Sequence, residues 1–237
     1  AIVDADLLIR AWNCVSEEET RYYLNGVYVE PHADGGARLV ATDGRKMVMI
    51  RDPGGIVKNG TGIVRLKKWF RKGIARRLSH KGYLKVVIYG QRCALMSFKD
   101  KSLSDDQMRY AFEAVRHPNG NLIAIQEEDS LIDGAYPDYR KAIPKTLDAN
   151  AVIGLFDASL LECVVKALAP TEHGVATHIT WAGDKSPMLV RVSNPEIDGF
   201  GLIMPMRGER ITTLPGWSDL PKAEPPVASA EPADKAA

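Results

Sequence analysis

A glycine-rich stretch ahead of a basic segment is the part of this sequence that comes nearest to phosphate-binding chemistry. The stretch is Asn59-Gly60-Thr61-Gly62, and the spacing from Gly55 to Gly60 matches the start of a P-loop. A P-loop continues with a lysine whose ammonium group contacts the phosphates, whereas Thr61 stands at that position here. We therefore interpret the stretch as a flexible connection between two parts of the chain.

Candidate metal ligands are few. His173 and His178 are five residues apart, and no third ligand follows in a recognisable pattern. A metal site needs several ligands that converge on one point, so surface histidines are the favoured interpretation. We predict no metal site and no cofactor.

Two acidic clusters, residues 17–19 and 127–129, invite a catalytic interpretation. Consecutive side chains on a strand or helix point in different directions, which favours solvated carboxylates. The sequence has no G-x-S-x-G element, and no Cys/His pair has a known signature. We predict no catalytic residue, while a nucleic-acid-processing enzyme that uses Asp105, Asp106, Glu127 and Asp129 stays open as an alternative.

The charge of the chain is unevenly distributed. The net charge of the 237 residues is +1, yet twelve Lys or Arg and a single acid, Asp100, lie between Gly62 and Lys101. A local basic block in a near-neutral protein favours a surface that faces a polyanion. One solvated helix face would have the same composition, and charge alone does not choose between the two.

The cysteines and the hydropathy pattern indicate a cellular compartment. Cys14, Cys93 and Cys163 are far apart among apolar neighbours, which predicts buried free thiols in a reducing cytoplasm. No apolar run approaches the roughly 20 residues of a membrane span. Asp4 and Asp6 stand where a signal peptide has its basic region. We expect a cytoplasmic protein with no membrane partner.

The first third of the chain reads as one helix followed by strands. Asp4 is a suitable N-cap for an amphipathic helix over residues 5–15. Strands are predicted at 21–30, 38–42 and 46–50, with a turn at 32–36. The dipeptide Asp43-Gly44 predicts the tight turn between the last two strands.

A second repeat of this pattern follows. Strands are predicted at 63–64, 84–89, 93–98 and 122–126, and a helix at 66–78, whereas the polar residues 99–121 give no prediction. The apolar side of the helix would carry Leu66, Trp69, Phe70, Ile74 and Leu78, opposite Lys68, Arg71 and Lys72.

A third repeat begins near Ala151. We predict a strand at 152–156, a helix capped by Asp157 with an apolar stripe at 160–168, and strands at 177–181, 188–192 and 201–204. Repeated helix-plus-strands units predict an α+β fold with antiparallel sheets. The Pro- and Ala-rich residues 208–237 predict a flexible tail.

Three stretches, in the right order, resemble the bacterial DNA polymerase III beta subunit, the beta sliding clamp. The first is Arg21-Tyr22-Tyr23-Leu24-Asn25-Gly26-Val27 together with Leu39-Val40-Ala41-Thr42-Asp43-Gly44-Arg45-Lys46-Met47. The second is Tyr136-Pro137-Asp138-Tyr139-Arg140-Lys141-Ala142-Ile143-Pro144-Lys145. The third is Ser186-Pro187-Met188-Leu189-Val190 followed by Leu202-Ile203-Met204-Pro205-Met206-Arg207. The resemblance covers residues 1–148, similar to the middle domain of the family, and 149–207, similar to the second half of its last domain.

The resemblance implies a DNA-clamp fold, in which antiparallel sheets carry helices on one face and a ring of such domains encircles and slides along double-stranded DNA. Basic helices that line the ring attract phosphates without reading bases. The matching residues here are Lys67, Lys68, Arg71, Lys72, Arg76 and Arg77, with Tyr22 and Tyr23 at positions that lie toward DNA in the family. Some of these cations could instead only solubilise the helix, and one tyrosine could pack in the core.

The family also has a hydrophobic cleft that binds short peptides of DNA polymerases, clamp loaders and repair proteins. The matching positions here are Leu24, Thr42, Gly44, Met47, Pro144, Ile203, Met204, Pro205 and Met206, with Arg45, Lys46 and Arg207 at the edge. Flexible methionines suit such a site, although ordinary core packing is the alternative. The family usually has a His-Arg pair where Arg45-Lys46 stands, and lysine lacks the planar fork of arginine, so peptide preference could differ.

The leading hypothesis is a diverged, shortened clamp that acts as a processivity factor in DNA replication or repair, forms a homo-oligomer and associates with the nucleoid. The second is a clamp-derived adaptor or regulator that binds peptides without encircling DNA. The apolar anchors within residues 214–220 could also occupy a cleft, although a disordered end is the favoured interpretation.

Overall fold

A computed structural model describes residues 1–58, 60, 62–78, 82–118, 122–145, 155–169, 176–181, 183, 186–193 and 197–208. The chain forms two compact units, residues 1–206 and 207–237. Only Arg207 and Gly208 of the second unit are described. The predictions for Asn59, Thr61, His173 and the tail beyond residue 208 therefore lie outside the described residues, as does most of the strand predicted at 152–156.

The helices and strands of the first unit alternate along the chain much as the repeats predict. The helices are α1 Ala5–Trp12, α2 Lys68–Ala75, α3 Asp105–Arg116 and α4 Ala158–Leu168, with 3₁₀ helices at Glu19–Leu24 and Tyr139–Ala142. The strands are β1 Ile2–Asp4, β2 Val27–Pro31, β3 Ala37–Thr42, β4 Lys46–Asp52, β5 Gly62–Val64, β6 Tyr83–Tyr89, β7 Arg92–Phe98, β8 Ala124–Gln126, β9 Leu131–Ile132, β10 Thr177–Trp181, β11 Met188–Val192 and β12 Gly199–Ile203.

These strands form two antiparallel sheets. The smaller has the order β1-β6-β7-β8, and the larger has the order β10-β11-β12-β4-β3-β2-β5-β9. The α+β prediction with antiparallel sheets is confirmed. The predicted domain division at residues 148 and 149 lies outside the described residues, and the larger sheet includes strands from both sides of it because β12 pairs with β4.

Alternation along the strands gives the larger sheet two different faces, since successive side chains point to opposite sides. On the inner face, Leu39, Val48 and Ile203 join the main core, which also contains buried residues of α1, α2 and α4. On the outer face, Val40, Met47 and Leu202 form a separate cluster with Tyr139. The helices and the segment around Tyr139 therefore cover opposite faces of one sheet.

Local hydrogen bonds explain why residues 21–24 are not the strand predicted for residues 21–30. These residues belong to the 3₁₀ helix Glu19–Leu24, and β2 begins only at Val27. The Asn25 side-chain amide donates to the Glu18 carbonyl at 3.1 Å. The Asn25 backbone N–H donates to the Tyr22 carbonyl at 3.0 Å. These bonds close a turn before β2. The tyrosines of residues 21–24 favour a strand by composition, which is why the turn was not predicted.

Helix α3 lies within residues 99–121, for which no element was predicted. Ser104 and Gln107 form a reciprocal capping box at its start, and the spacing Ser-x-x-Gln is the sequence signal that could have found it. Ala111, Ala114 and Val115 of α3 pack against Val87 and Met96 of the smaller sheet. The opposite face of that sheet packs in the main core, so α3 adds a helical layer on its second face.

Helix α2 is shorter than predicted, and its apolar side is narrower. Phe70 and Ile74 are buried, as predicted. Trp69 is 53% exposed, because it lies about 100° around the helix from Phe70. Leu78 lies beyond the last residue of α2 and is 37% exposed.

The remaining sequence predictions have simple outcomes. The Asp4 and Asp157 caps are confirmed, since each side chain accepts backbone N–H bonds at the start of its helix. Cys14 and Cys93 are buried, as predicted. Burial raises the pKa of the Cys93 thiol to about 11. Cys163 is partly exposed, contrary to prediction. Leu155 and Phe156 lie in no strand. Among the described residues, no helix is long and apolar enough to span a membrane.

Candidate peptide pocket and basic helix

A pocket of about 480 Å³ lies on the outer face of the larger sheet. Residues from four separate parts of the chain form its walls: Arg21, Tyr23, Leu24, Thr42, Gly44, Arg45, Lys46, Met47, Pro137, Asp138, Tyr139, Lys141, Ala142, Leu202 and Met204. Leu24, Met47 and Leu202 are almost fully buried, whereas Met204 is 41% exposed. The pocket therefore has an apolar floor and one accessible methionine at its opening.

The pairing of β12 with β4 brings two of these walls together. Leu202 lies opposite Met47 and Ile203 opposite Lys46 in the antiparallel register. Side-chain alternation directs Leu202 and Met204 to the pocket and Ile203 to the main core, where it is fully buried. Ile203 is therefore not a pocket wall. The alternation of side chains along this strand could have shown from the sequence alone that Ile203 and Met204 point to opposite faces.

The turn between β3 and β4 fixes the edge of the pocket. Gly44 has a φ of +88°, a conformation that side chains other than glycine rarely adopt. The Asp43 carboxylate accepts hydrogen bonds from the backbone N–H groups of Arg45 and Lys46. It also accepts a hydrogen bond from the Lys46 ammonium group. Burial alone would raise the pKa of Asp43, but the bonds from Lys46 and Arg45 lower it below its ordinary value. The turn is thus rigid and presents Arg45 at an exposed position.

A buried carboxylate anchors the opposite wall. Glu30 accepts bonds from the Tyr139 hydroxyl at 2.5 Å, from Arg38 at 2.6 Å and from Arg140 at 2.6 Å. Burial would raise the pKa of Glu30, but the bonds from Tyr139, Arg140 and Arg38 hold it below the ordinary value. These bonds tie the 3₁₀ helix Tyr139–Ala142 to β2 and β3. Tyr139 and Ala142 line the pocket from this wall and were not predicted to do so, although both belong to the second matched stretch.

The structure separates the twelve predicted cleft residues into two groups. Seven line the pocket: Leu24, Thr42, Gly44, Arg45, Lys46, Met47 and Met204. Pro144, Ile203, Pro205 and Met206 lie outside its lining, and Met206 is 55% exposed. Arg207 belongs to the second compact unit, which is described only at its first two residues.

The predicted DNA-contacting cations lie on or beside α2. Lys67, Lys68, Lys72 and Arg76 are exposed. Lys67 pairs with Asp129 at 3.3 Å. Arg71 is half-buried, its guanidinium lies 4.7 Å from the ring centre of Trp12, and burial lowers its pKa. Arg77 is also half-buried and donates to the Gly73 carbonyl at 3.2 Å.

The two predicted aromatic contacts have different positions. Tyr22 is 53% exposed, whereas Tyr23 lines the pocket. Their rings meet edge to face at 5.8 Å. Tyr23 is therefore part of the candidate pocket, and of these two tyrosines only Tyr22 has the exposure that base contact would require.

The residues of the catalytic alternative are distributed over separate elements. Asp105 and Asp106 begin α3, whereas Asp129 follows β8 and pairs with Lys67. Within the described ranges, no group of three or more His, Cys, Asp or Glu could hold a metal ion.

Comparison with known proteins identifies the family. No protein-family profile matches the chain. The chain is 30% identical over 202 residues to the beta sliding clamp of Caulobacter vibrioides, a match that covers 82% of this chain and 47% of the relative. The chain thus spans about half the length of the curated relatives it matches.

Solved structures show the same fold. The sliding clamp of Bartonella birtlesii, solved with griselimycin, matches with a TM-score of 0.57 and 18% identity over 88% of this chain and 66% of that one. The C. crescentus beta sliding clamp matches with a TM-score of 0.54 and 24% identity over 87% of this chain and 65% of that one. The chain is a diverged member of the DNA polymerase III beta subunit family, the beta sliding clamps.

Proposed function

We propose that this chain acts as a sliding-clamp-like processivity factor in DNA replication or repair. It binds duplex DNA through α2 without sequence preference, and it binds clamp-binding peptides of a DNA polymerase, clamp loader or repair protein in the pocket. The observation that carries the proposal is the apolar pocket formed by Leu24, Met47, Leu202 and Met204 between chain segments far apart in sequence.

The charge on α2 supports the DNA-binding part. Lys68, Lys72 and Arg76 are exposed, and contacts between such side chains and phosphates carry no base information. Phe70 and Ile74 anchor α2 in the core on the inner face of the larger sheet. The pocket lies on the outer face, so one chain can hold DNA and a peptide at the same time.

The chemistry of this proposal is binding alone. The chain supplies apolar surface and positive charge, and the proposal includes no reaction, metal or cofactor. The relatives that the chain matches are named as sliding clamps.

Peptide binding by two methionine variants tests the pocket. The probe is a fluorescent peptide from the clamp-binding segment of a bacterial replicative polymerase. Met204→Ala should weaken binding about tenfold, since a peptide that covers the exposed part of this side chain gains about 1.5 kcal/mol. Met206→Ala is the matched control, because Met206 is exposed but lies outside the pocket lining. Equal affinity of Met204→Ala and the wild type would rule out this pocket as the peptide site.

A second candidate function is a peptide-binding adaptor that does not encircle DNA. It is favoured by the fact that the pocket forms within the first compact unit of one chain, so peptide binding does not require a ring. A closed ring requires self-association. Light scattering with and without duplex DNA separates the two: a defined homo-oligomer supports the processivity factor, and a monomer in both conditions supports the adaptor.

A further inference from the structure

Trp69 on α2 is an exposed aromatic side chain within a basic segment of the chain. Its side chain is 53% exposed. No acidic residue occurs between Gly62 and Lys99 in the sequence. By helical geometry, Lys72 and Arg76, three and seven residues further on, share the face of Trp69. An aromatic ring flanked by cations suits a ligand that combines flat rings with phosphates.

Gly73 leaves the ring of Trp69 uncovered. A side chain four residues further along a helix leans back toward the N-terminus and over residue i. Gly73 stands at that position for Trp69, and glycine within a helix lowers helix stability relative to alanine. An added Cβ at Gly73 would meet no atom closer than 3.8 Å, from Arg77. Packing therefore does not require glycine there, and only a longer side chain at this position would extend over the ring.

The ring is also held in place. Phe70 is buried, and its ring meets that of Trp69 edge to face, with the centres 5.5 Å apart and an interplanar angle of 82°. A fixed ring loses little freedom when a ligand stacks on it. Trp69 is thus a preorganised surface rather than a loose side chain.

We propose that Trp69 is a stacking platform for unpaired bases, and that α2 binds single-stranded DNA through it. Unpaired bases expose their faces, so an aromatic ring can stack on them while nearby cations contact the phosphates. In a duplex the bases are stacked on each other, and a ring reaches them only by prying them apart. This inference rests on the proposed DNA-binding role of α2 and adds a second form of DNA to it.

The test compares two ligands in the full chain at one low salt concentration. The probes are a fluorescein-labelled oligothymidine strand and a duplex of the same length, measured by anisotropy. Trp69→Ala should weaken single-strand binding about tenfold and change duplex binding less than about threefold. Gly73→Leu, which covers the ring and keeps every charge, should weaken single-strand binding in the same direction. Tyr83→Ala removes a comparably exposed aromatic from β6 and should change neither.

Each outcome decides the inference. Unchanged single-strand affinity in Trp69→Ala overturns it, and so does an equal loss for both ligands, which would mark a wedge into the duplex. If the wild type binds the single strand through Trp69 but does not bind the duplex, the inference stands and the proposed duplex-binding function fails. If the wild type binds the duplex but not the single strand, the function stands and the inference fails.

Discussion

Leu202 lies directly opposite Met47 in the antiparallel pairing of β12 with β4. Both side chains point to the outer face of the sheet, where they form the floor of the candidate peptide pocket. The next residue along the chain, Ile203, points into the main core. The same strand pair therefore builds the pocket on one face and stabilises the fold on the other, so the shape of the pocket depends on the packing beneath β12.

Gly201→Ala should weaken both the fold and the pocket. A Cβ at this position would lie 2.1 Å from a Val164 side-chain carbon and 3.1 Å from the Met47 carbonyl oxygen, so α4 or β12 must move. Such overpacking costs about 1–3 kcal/mol. Urea unfolding should show this loss, and peptide affinity should fall with it. Gly73→Ala is the control, since α2 has room for the methyl group and should become slightly more stable. An unchanged Gly201→Ala protein would contradict the described packing of α4 on β12.

Glu30→Gln should destabilise the protein by about 2 kcal/mol at neutral pH, because hydrogen bonds to a charged group are lost beneath the pocket wall. The bonds from Tyr139, Arg140 and Arg38 outweigh burial and place the pKa of folded Glu30 below its ordinary value of 4.5. Its contribution is complete above pH 4.5 and is lost as the pH falls through the folded pKa. Urea unfolding at several pH values should therefore show a smaller loss of stability on acidification in the variant than in the wild type.

The exposed pair Glu162–Lys166 provides the control for Glu30. Its carboxylate also has a lowered pKa, but both side chains are more than half exposed. Glu162→Gln should leave the stability almost unchanged, because solvent screens such pairs. If Glu30→Gln behaved like Glu162→Gln, the Glu30 network would not hold the wall in place.

Lys85→Met should destabilise the protein by about 3–5 kcal/mol. Lys85 is fully buried, and its ammonium group lies 3.6 Å from an Asp4 carboxylate oxygen. Burial raises the pKa of Asp52, and the charge of Lys85 partly offsets that rise. Removing the cation leaves buried carboxylate charge without compensation. Urea unfolding measures the loss.

The pKa shift of Asp52, which sets the pH dependence of Lys85→Met, has the opposite sign to that of Glu30. Because the folded pKa of Asp52 is raised, the folded state binds a proton more readily than the unfolded state as the pH falls. The deficit of the variant relative to the wild type should therefore shrink in mild acid. The double variant Lys85→Met/Asp52→Asn should regain part of the stability at neutral pH, and no recovery in either experiment would contradict a charge-based cause.

Lys68→Gln and Lys72→Gln should each weaken duplex binding to a similar extent for unrelated sequences. Each lost phosphate contact should reduce the salt dependence of binding, the slope of log K against log salt concentration, by about 1. Arg109→Gln on α3 is the control, because α3 covers the opposite face of the smaller sheet. Titration of labelled duplexes at several salt concentrations measures these slopes, and an unaltered slope in both lysine variants would remove α2 from the DNA-binding surface.

The sequence alone determined the elements whose cause is local. The Asp4 and Asp157 caps, the Asp43-Gly44 turn and the alternating strands around it were predictable, since each depends on neighbouring residues. The order of three matched stretches also predicted the family. The missed helix α3 had a local signal as well, in the capping box of Ser104 and Gln107.

Only the tertiary structure decided which side chains meet. The pairing of β12 with β4 joins distant segments through a backbone ladder, and the residue types do not specify its partner or register. That ladder sends Leu202 to the pocket and Ile203 to the core. Trp69 likewise points outward because α2 begins at Lys68 and its neighbour Phe70 is buried in the core. Which residues of a helix face the core depends on the elements that the fold packs against it.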